Sequence, residues 1–225
     1  MIQDGRNQFK AYLCSNNDLN HPVWGIFLKR VIDIIISISF LILLLPLLII
    51  IAVIIKFTGT GPIFYYGKRT GLYGKPFKII KFRTMVIDAE VIGGPTTGTD
   101  DPRVCRFGRF LRKSKLDEIP QLINVLLGQM SLVGPRPEVE VYTSRYIGEE
   151  KLILLMRPGI TDYSSLKFAD LDNMVGVTNP DNYYQEYILP VKNQLRIKYV
   201  KEWNLKSDFS ILWMTLRKVL KNIIH

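Results

Sequence analysis

Two adjacent carboxylates, Asp117 and Glu118, stand in the segment KSKLDEIPQL (113–122), at the end of the most basic run of the chain. Six cations (Arg103, Arg106, Arg109, Arg112, Lys113, Lys115) precede them from position 103 with no acid in between. Proline is tolerated in a first helical turn but not later, so Pro120 places a helix start near Leu116 or Asp117. Two readings of the acids follow. In the structural one, Asp117 is an N-cap and Glu118 a first-turn acid, together contributing about 1–2 kcal/mol against the helix dipole. In the chemical one, the helix end and the cations hold an ionised carboxylate where they also attract phosphate oxygens. A carboxylate there is a nucleophile toward phosphorus. Cations and a Mg²⁺ ion would neutralise the phosphates, and the second acid would hold the metal or manage a proton.

Composition narrows the classes around this pair. The 225 residues, 48% of them apolar, suffice for one domain with a sizeable core. A net charge of +10 calls for an acidic partner: nucleic acid, anionic lipid or a phosphorylated small molecule. Cys14 and Cys105 lack metal or redox spacing, which fits a reducing compartment. His21 and His225 are the only histidines, so a histidine triad or histidine-rich metal site is not expected and a carboxylate is the expected base.

Val31–Ile55 is a 25-residue apolar run whose one charge, Asp33, lies near its start. It is long enough for a membrane helix, and it starts too late and runs too long for a signal peptide. Pro46 interrupts it, and both flanks are basic, with Lys29 and Arg30 before and Lys56, Lys68 and Arg69 after. These features suit either a helix–break–helix that dips into one leaflet or a proline-kinked span.

Around these residues the expected scaffold is α+β and mainly helical. A polar leader (1–27) precedes the membrane segment (28–57) and a domain (58–225) that carries the acid pair. Residues 59–85 read as two short strands around glycine-rich turns, 88–102 as a loop, and 119–127 as a helix stopped at Gly128. SLVGPRPEVE (131–140) reads as a stiff turn holding Arg136, and RPGIT (157–161) as a second one carrying Arg157. Phe209, Leu212, Trp213, Leu216, Leu220 and Ile223 recur at helical spacing with Arg217, Lys218 and Lys221 beside them. That pattern suits a helix on an anionic membrane surface or an ordinary core-packing helix. GTGPIFYYGKRTG is no P-loop, because five residues separate Gly61 from Gly67 and Arg69 follows Lys68. No nucleic-acid-binding signature accompanies the charge, so no nucleic-acid partner is expected.

LKRVIDI leading into the apolar run, KFRTM, LDEIPQLINVLLGQMSLVGPRP, RPGIT and the closing basic helix occur in an order that resembles the bacterial sugar transferases, the monotopic phosphoglycosyl transferases. The resemblance runs from about Leu28 to the C-terminus and suggests a minimal form of the family. It implies transfer of a sugar 1-phosphate from a nucleotide diphosphate sugar to polyprenyl (undecaprenyl) phosphate, with UMP released when UDP is the carrier. Asp117 matches the nucleophile that forms a phosphosugar–enzyme intermediate, Glu118 its partner in metal and proton handling, and Mg²⁺ would bind at Asp117 and Glu118. Arg112 and Arg136 match phosphate-holding positions, and Lys81, Arg83 and Arg157 are carried over from their motifs. The apolar segment with Pro46 matches a re-entrant helix, placing the catalytic domain on the cytoplasmic face of a bacterial inner membrane.

Two departures stand out. Leu45 occupies a position where relatives often carry serine, and Asp162-Tyr163-Ser164-Ser165 follows RPGIT where many continue with glycine. A competing reading from another class is a catalytically silent scaffold docked on anionic lipid. It predicts lipid binding without Mg²⁺-dependent consumption of nucleotide sugar.

Overall fold

The computed structural model describes residues 21–224 except 95, 99, 170, 172, 173 and 175–179. The leader up to residue 20, Cys14 and His225 lie outside the described residues.

The apolar run forms helix α1, Val23–Phe57, which absorbs the last residues expected in the leader. It continues as a helix through Pro46, so the expected break is not an interruption. Proline removes one backbone hydrogen bond. Packing of Leu47, Leu48, Ile51 and Ile55 against Phe82 and Leu111 holds the second half in place beyond it. The first half is held by polar anchors. Buried Lys29 donates to the Val133 carbonyl (2.8 Å) and to Asp208 (2.7 Å), while buried Asp33 accepts from the Ser131 hydroxyl (2.7 Å) and Leu132 N–H (3.1 Å). Between these contacts Ile38, Ile42, Leu43, Leu45, Ile49 and Ile50 stay exposed.

Strands β1 (Phe64–Thr70) and β2 (Pro76–Phe82) form the expected antiparallel hairpin, with Tyr65 opposite Lys81. Its turn passes through left-handed Tyr73 and Gly74, φ 56° and 71°. The stretch expected as a loop, 88–102, includes a helical turn at Ala89–Ile92, and helix α2 (Arg106–Lys113) follows it and carries most of the basic run. A 3₁₀ turn, Leu116–Glu118, leads into helix α3, Gln121–Leu126. Fully buried Asn124 of α3 pins β2 by accepting from Ile80 N–H (2.9 Å) and donating to the Lys78 carbonyl (2.8 Å).

The two segments expected to be stiff turns each contribute a short strand as well. β3 (Ser131–Val133) and β4 (Gly159–Thr161) pair in parallel. Beyond β3, Gly134 and Gly159 approach so closely that a Cβ on Gly159 would lie 2.1 Å from the Gly134 nitrogen, which explains both glycines. Further along come helix α4 (Tyr163–Lys167), α5 (Leu189–Glu202), which follows a π-helical turn at Tyr184–Ile188, and α6 (Leu205–Ile224). Short helical segments lie at Glu140–Thr143 and Gly148–Leu155, between β3 and β4, and at Pro180–Tyr183, ahead of the π-helical turn. One core joins Ile79, Val125, Met130, Val133, Tyr199 and Ile211, with Ile36 and Leu41 of α1 against it.

Helix α6 buries Asp208 and Ile211 but leaves Phe209, Trp213, Leu216 and Leu220 exposed beside exposed Arg217 and Lys221. Most of its apolar stripe therefore points away from the core. Lys218 instead turns back to the Leu166 carbonyl (2.7 Å). The Ile223 side chain lies outside the described residues.

Candidate active site

Asp117 and Glu118 sit in a sharp reversal. Helix α2 ends at Ser114, whose hydroxyl donates to the Phe110 carbonyl at 2.8 Å, and Lys115 then adopts a left-handed φ of 58°. The next three residues close the 3₁₀ turn, and Pro120 takes the cap position of α3. Neither acid is therefore the N-cap of that helix, which removes the simplest structural account of the pair.

The two carboxylates, one residue apart, have opposite environments. Asp117 is 5% exposed, and its Oδ1 has no hydrogen-bond partner. Burial raises its pKa; Lys81, Lys115 and Arg112 pull the other way, while the charge on Glu118 reinforces the rise. The cations were expected to hold this carboxylate in its ionised form, and desolvation outweighs them. Glu118 accepts from Arg136 through both oxygens, Nη1 to Oε2 at 2.9 Å and Nη2 to Oε1, and from Lys81 Nζ at 2.8 Å. Burial works to raise its pKa too, but Arg136 and Lys81 prevail and hold it well below the usual carboxylate range. Such forked, charge-assisted pairing is the strong form of the interaction.

The predicted cations separate into two groups. Arg136 reaches Glu118 and the Ile160 carbonyl (2.9 Å), and Lys81 reaches Glu118 from β2. Arg112 lies close enough for its charge to act on Asp117, and it ties the site to the loop through Thr84 (3.0 Å) and Thr97 (3.1 Å). Arg83 and Arg157 are placed elsewhere. Arg83 donates to the carbonyls of Ile55 (3.4 Å), Gly59 (3.3 Å) and Thr60 (2.6 Å), gripping the end of α1. Strand alternation would keep the residue two after Lys81 on the same face, but β2 ends at Phe82 and Arg83 turns to the end of α1 instead. Arg157 donates to the Gly128 carbonyl at 3.1 Å, on the side of Arg30.

Among the described residues no three His, Cys, Asp or Glu side chains cluster as a metal site. Mg²⁺ often needs only one or two carboxylates, completing its shell with phosphate oxygens and water. The unpartnered Oδ1 of Asp117 fits that requirement, whereas both oxygens of Glu118 are occupied by cations.

Sequence reasoning missed a layer behind Arg136. Asp162, fully buried, accepts from the Arg136 backbone N–H at 3.0 Å, and fully buried Arg196 donates to Glu138 at 2.7 Å. Asp162 carried a signal, as the first residue after RPGIT that departs from the expected pattern. Arg196 carried none, being one cation among several on α5.

The model of the bacterial sugar transferase family matches residues 24–222. The chain is 35% identical over 225 aligned residues to a UDP-galactose-lipid carrier transferase of Erwinia amylovora, covering 92% of this chain and 43% of the relative. It is 34% identical to a UDP-glucose:undecaprenyl-phosphate glucose-1-phosphate transferase of Escherichia coli, covering 89% and 42%. With the exopolysaccharide production protein ExoY of Sinorhizobium fredii it shares 35% identity over 88% of this chain and 87% of that one. It thus spans less than half of the first two relatives and most of the third. A match over nearly the whole chain includes the acid pair, the Arg136 turn and the apolar helix together, and the chain belongs to the bacterial sugar transferase family.

Proposed function

We propose that this protein transfers a sugar 1-phosphate from a UDP-sugar to polyprenyl (undecaprenyl) phosphate, through a phosphosugar carried on Asp117. An Asp117 oxygen attacks the sugar-bearing phosphorus of the donor, and the bond from that phosphorus to the bridging oxygen breaks, so UMP leaves with the bond's electron pair. A phosphate oxygen of the lipid then attacks the same phosphorus and the carboxylate departs, leaving a polyprenyl diphosphate sugar. The observation that carries this reading is the buried Asp117 carboxylate with an unpartnered oxygen, set among Lys81, Arg112 and Lys115. A buried polar atom without a partner is costly in a native fold, and a phosphoryl group or its metal supplies the missing contact.

The cations spread the charge that accumulates on the phosphate oxygens during attack. Glu118, locked by Arg136 and Lys81, fits an anchor that keeps both cations at the site better than a proton carrier. Mg²⁺ would be held by Asp117 Oδ1 and donor phosphate oxygens, and when bound it supplies further neutralisation of the diphosphate. The relatives named for UDP-glucose and UDP-galactose support a UDP-linked donor.

The same reading places α1 as a re-entrant helix in one leaflet of the bacterial cytoplasmic membrane, with the catalytic domain on the cytoplasmic face. Lys29 and Asp33 near one end, and Ile51 and Ile55 near the other, pack on the same domain. A straight span carries its far end across about 30 Å of hydrocarbon, away from that domain. The exposed apolar middle of α1 and the outward stripe of α6 supply the surfaces that face lipid.

The test is the intact mass of purified protein with Mg²⁺ and a panel of UDP-sugars, without lipid. One sugar phosphate added to wild type, absent in Asp117→Asn, is expected. No adduct, followed by no UMP release once polyprenyl phosphate is supplied, would reject the reading in favour of the scaffold.

A further inference from the structure

We infer that Asp162 is a positioning residue for Arg136, acting from behind the Pro135-Arg136-Pro137 turn. The inference rests on the proposed reaction only for its catalytic consequence.

Nothing in the covalent chain forces the Arg136 guanidinium onto Glu118; the backbone around it must be fixed. Three hydrogen bonds do so: Asp162 Oδ2 accepts from Arg136 N–H at 3.0 Å, Gly159 N–H donates to the Pro135 carbonyl at 3.1 Å, and Thr70 N–H donates to the Glu138 carbonyl at 3.0 Å. Two of these are backbone pairs, one of them made possible by the close approach of Gly159. The contact at Arg136 itself depends on one side chain.

Asp162 is held for that task. Its Oδ1 accepts from Ser165 N–H (2.6 Å) and Ser165 Oγ (2.7 Å), and Ser164 Oγ lies 2.8 Å from each oxygen, so the carboxylate also caps α4. Fully buried Arg196 places its Nε 3.7 Å from Asp162 Oδ2 and donates to Glu138 at 2.7 Å, bracketing the turn from both sides. Asp162 is thereby a fixed, charged acceptor facing a single amide of the turn. If it is removed, the part-buried Arg136 N–H is left without that acceptor and the turn relaxes. A displacement near 1 Å at a catalytic cation costs about 10- to 100-fold in rate.

Two measurements on the full chain decide this. The first is a double-mutant cycle on the rate of adduct formation with the UDP-sugar that labels wild type. Asp162→Ala is expected to slow the reaction about 10- to 100-fold with little change in donor KM. Asp162→Asn, which keeps an acceptor, should restore most of the rate, and Asp162→Ala should cost nothing further in an Arg136→Ala background. An equal loss in that background would overturn the inference, because Asp162 would then act independently of Arg136. The second is hydrogen exchange, which needs no turnover. The Gly134 and Arg136 amides should lose protection in Asp162→Ala while those of α5 keep it. Unchanged protection at Gly134 and Arg136, or loss spread over the whole domain, would overturn it. A wild type that forms no adduct would instead reject the proposed reaction, with hydrogen exchange still deciding the role of Asp162.

Discussion

Replacing Asp208 by alanine removes an acceptor shared by three buried donors: Lys29 Nζ at 2.7 Å, Tyr199 OH at 2.6 Å and Trp203 Nε1 at 3.1 Å. Lys29 and Tyr199 keep the Val133 carbonyl, at 2.8 and 3.3 Å, but the ammonium loses its counter-charge and the indole N–H loses its acceptor. Breaking a buried ion pair from one side costs about 3–5 kcal/mol, because the remaining charge stays desolvated. An orphaned buried N–H adds about 1–3 kcal/mol, not fully additively. A total near 4–6 kcal/mol corresponds to a Tm lower by about 10–20 °C for a chain of this size. The assay is thermal unfolding of detergent-solubilised protein. It is decisive when the double variant Lys29→Met/Asp208→Leu is run beside the single one. Apolar replacement of a whole buried pair is often close to neutral, so the double variant should melt above Asp208→Ala. An Asp208→Ala protein melting within about 2 °C of wild type would refute the reasoning. So would a double variant that melts lower still, since the anchor would then not be an electrostatic unit.

Asp117→Asn should abolish the sugar-phosphate adduct while leaving Tm equal to or above wild type, because the carboxylate Oδ1 has no partner to lose and its charge no longer has to be buried. Lys81→Met should lower the rate of adduct formation at least tenfold by removing a cation from the acid pair, whereas Arg83→Ala should keep that rate within a few-fold and instead weaken the grip on the end of α1; matched kinetics and melting curves separate the two. The Lys192 amine is pushed down to about 8 by burial, with Glu138 opposing and Arg196 reinforcing. Between that value and the unfolded one near 10.4 the unfolded chain binds more protons, so this group makes wild-type stability rise with pH, by at most about 3 kcal/mol. Lys192→Met should lack that rise and be the more stable protein at pH 7, read from denaturant midpoints at pH 7 to 10.

Local features were legible where one residue type forces the backbone. The hairpin followed from glycine-bounded strand residues, the stop of α3 from Gly128 (φ 77°), and the α6 stripe from its spacing. What the sequence hid was the use of each charge. Lys81 and Arg83 share one motif, yet the end of β2 between them sends the first to Glu118 and the second to α1. Asp117 and Glu118 carry different expected roles, but only three-dimensional pairing shows one to be a buried acid with an unpartnered oxygen and the other a neutralised anchor. Parallel pairing of β3 with β4 joins segments far apart in sequence and leaves no periodic signature in strands of three residues.

The basic flanks of the apolar helix gain a physical account from the same contacts. By the positive-inside rule, cations on both sides favour neither orientation of a span. On the N-terminal side they serve as tethers, and on the other side Arg83 at the end of the hairpin does so in place of the flanking Lys56, Lys68 and Arg69. Lys29 is bound to Asp208 and Val133, and Arg30 reaches the Leu126 carbonyl at 3.2 Å; at the other end Arg83 holds the carbonyls of Ile55, Gly59 and Thr60. Each tether ends on the domain that carries Asp117, and one of them, Lys29, grips the strand that leads into the Arg136 turn. In the proposed reading, a helix fixed at both ends to the domain that carries Asp117 enters lipid by its middle, where Pro46 lies and the apolar side chains are exposed. Under the proposed function this geometry sets the depth of the domain against the membrane surface. It thereby sets the height at which a lipid phosphate meets Asp117, a task that a simple span, free to tilt, does less well.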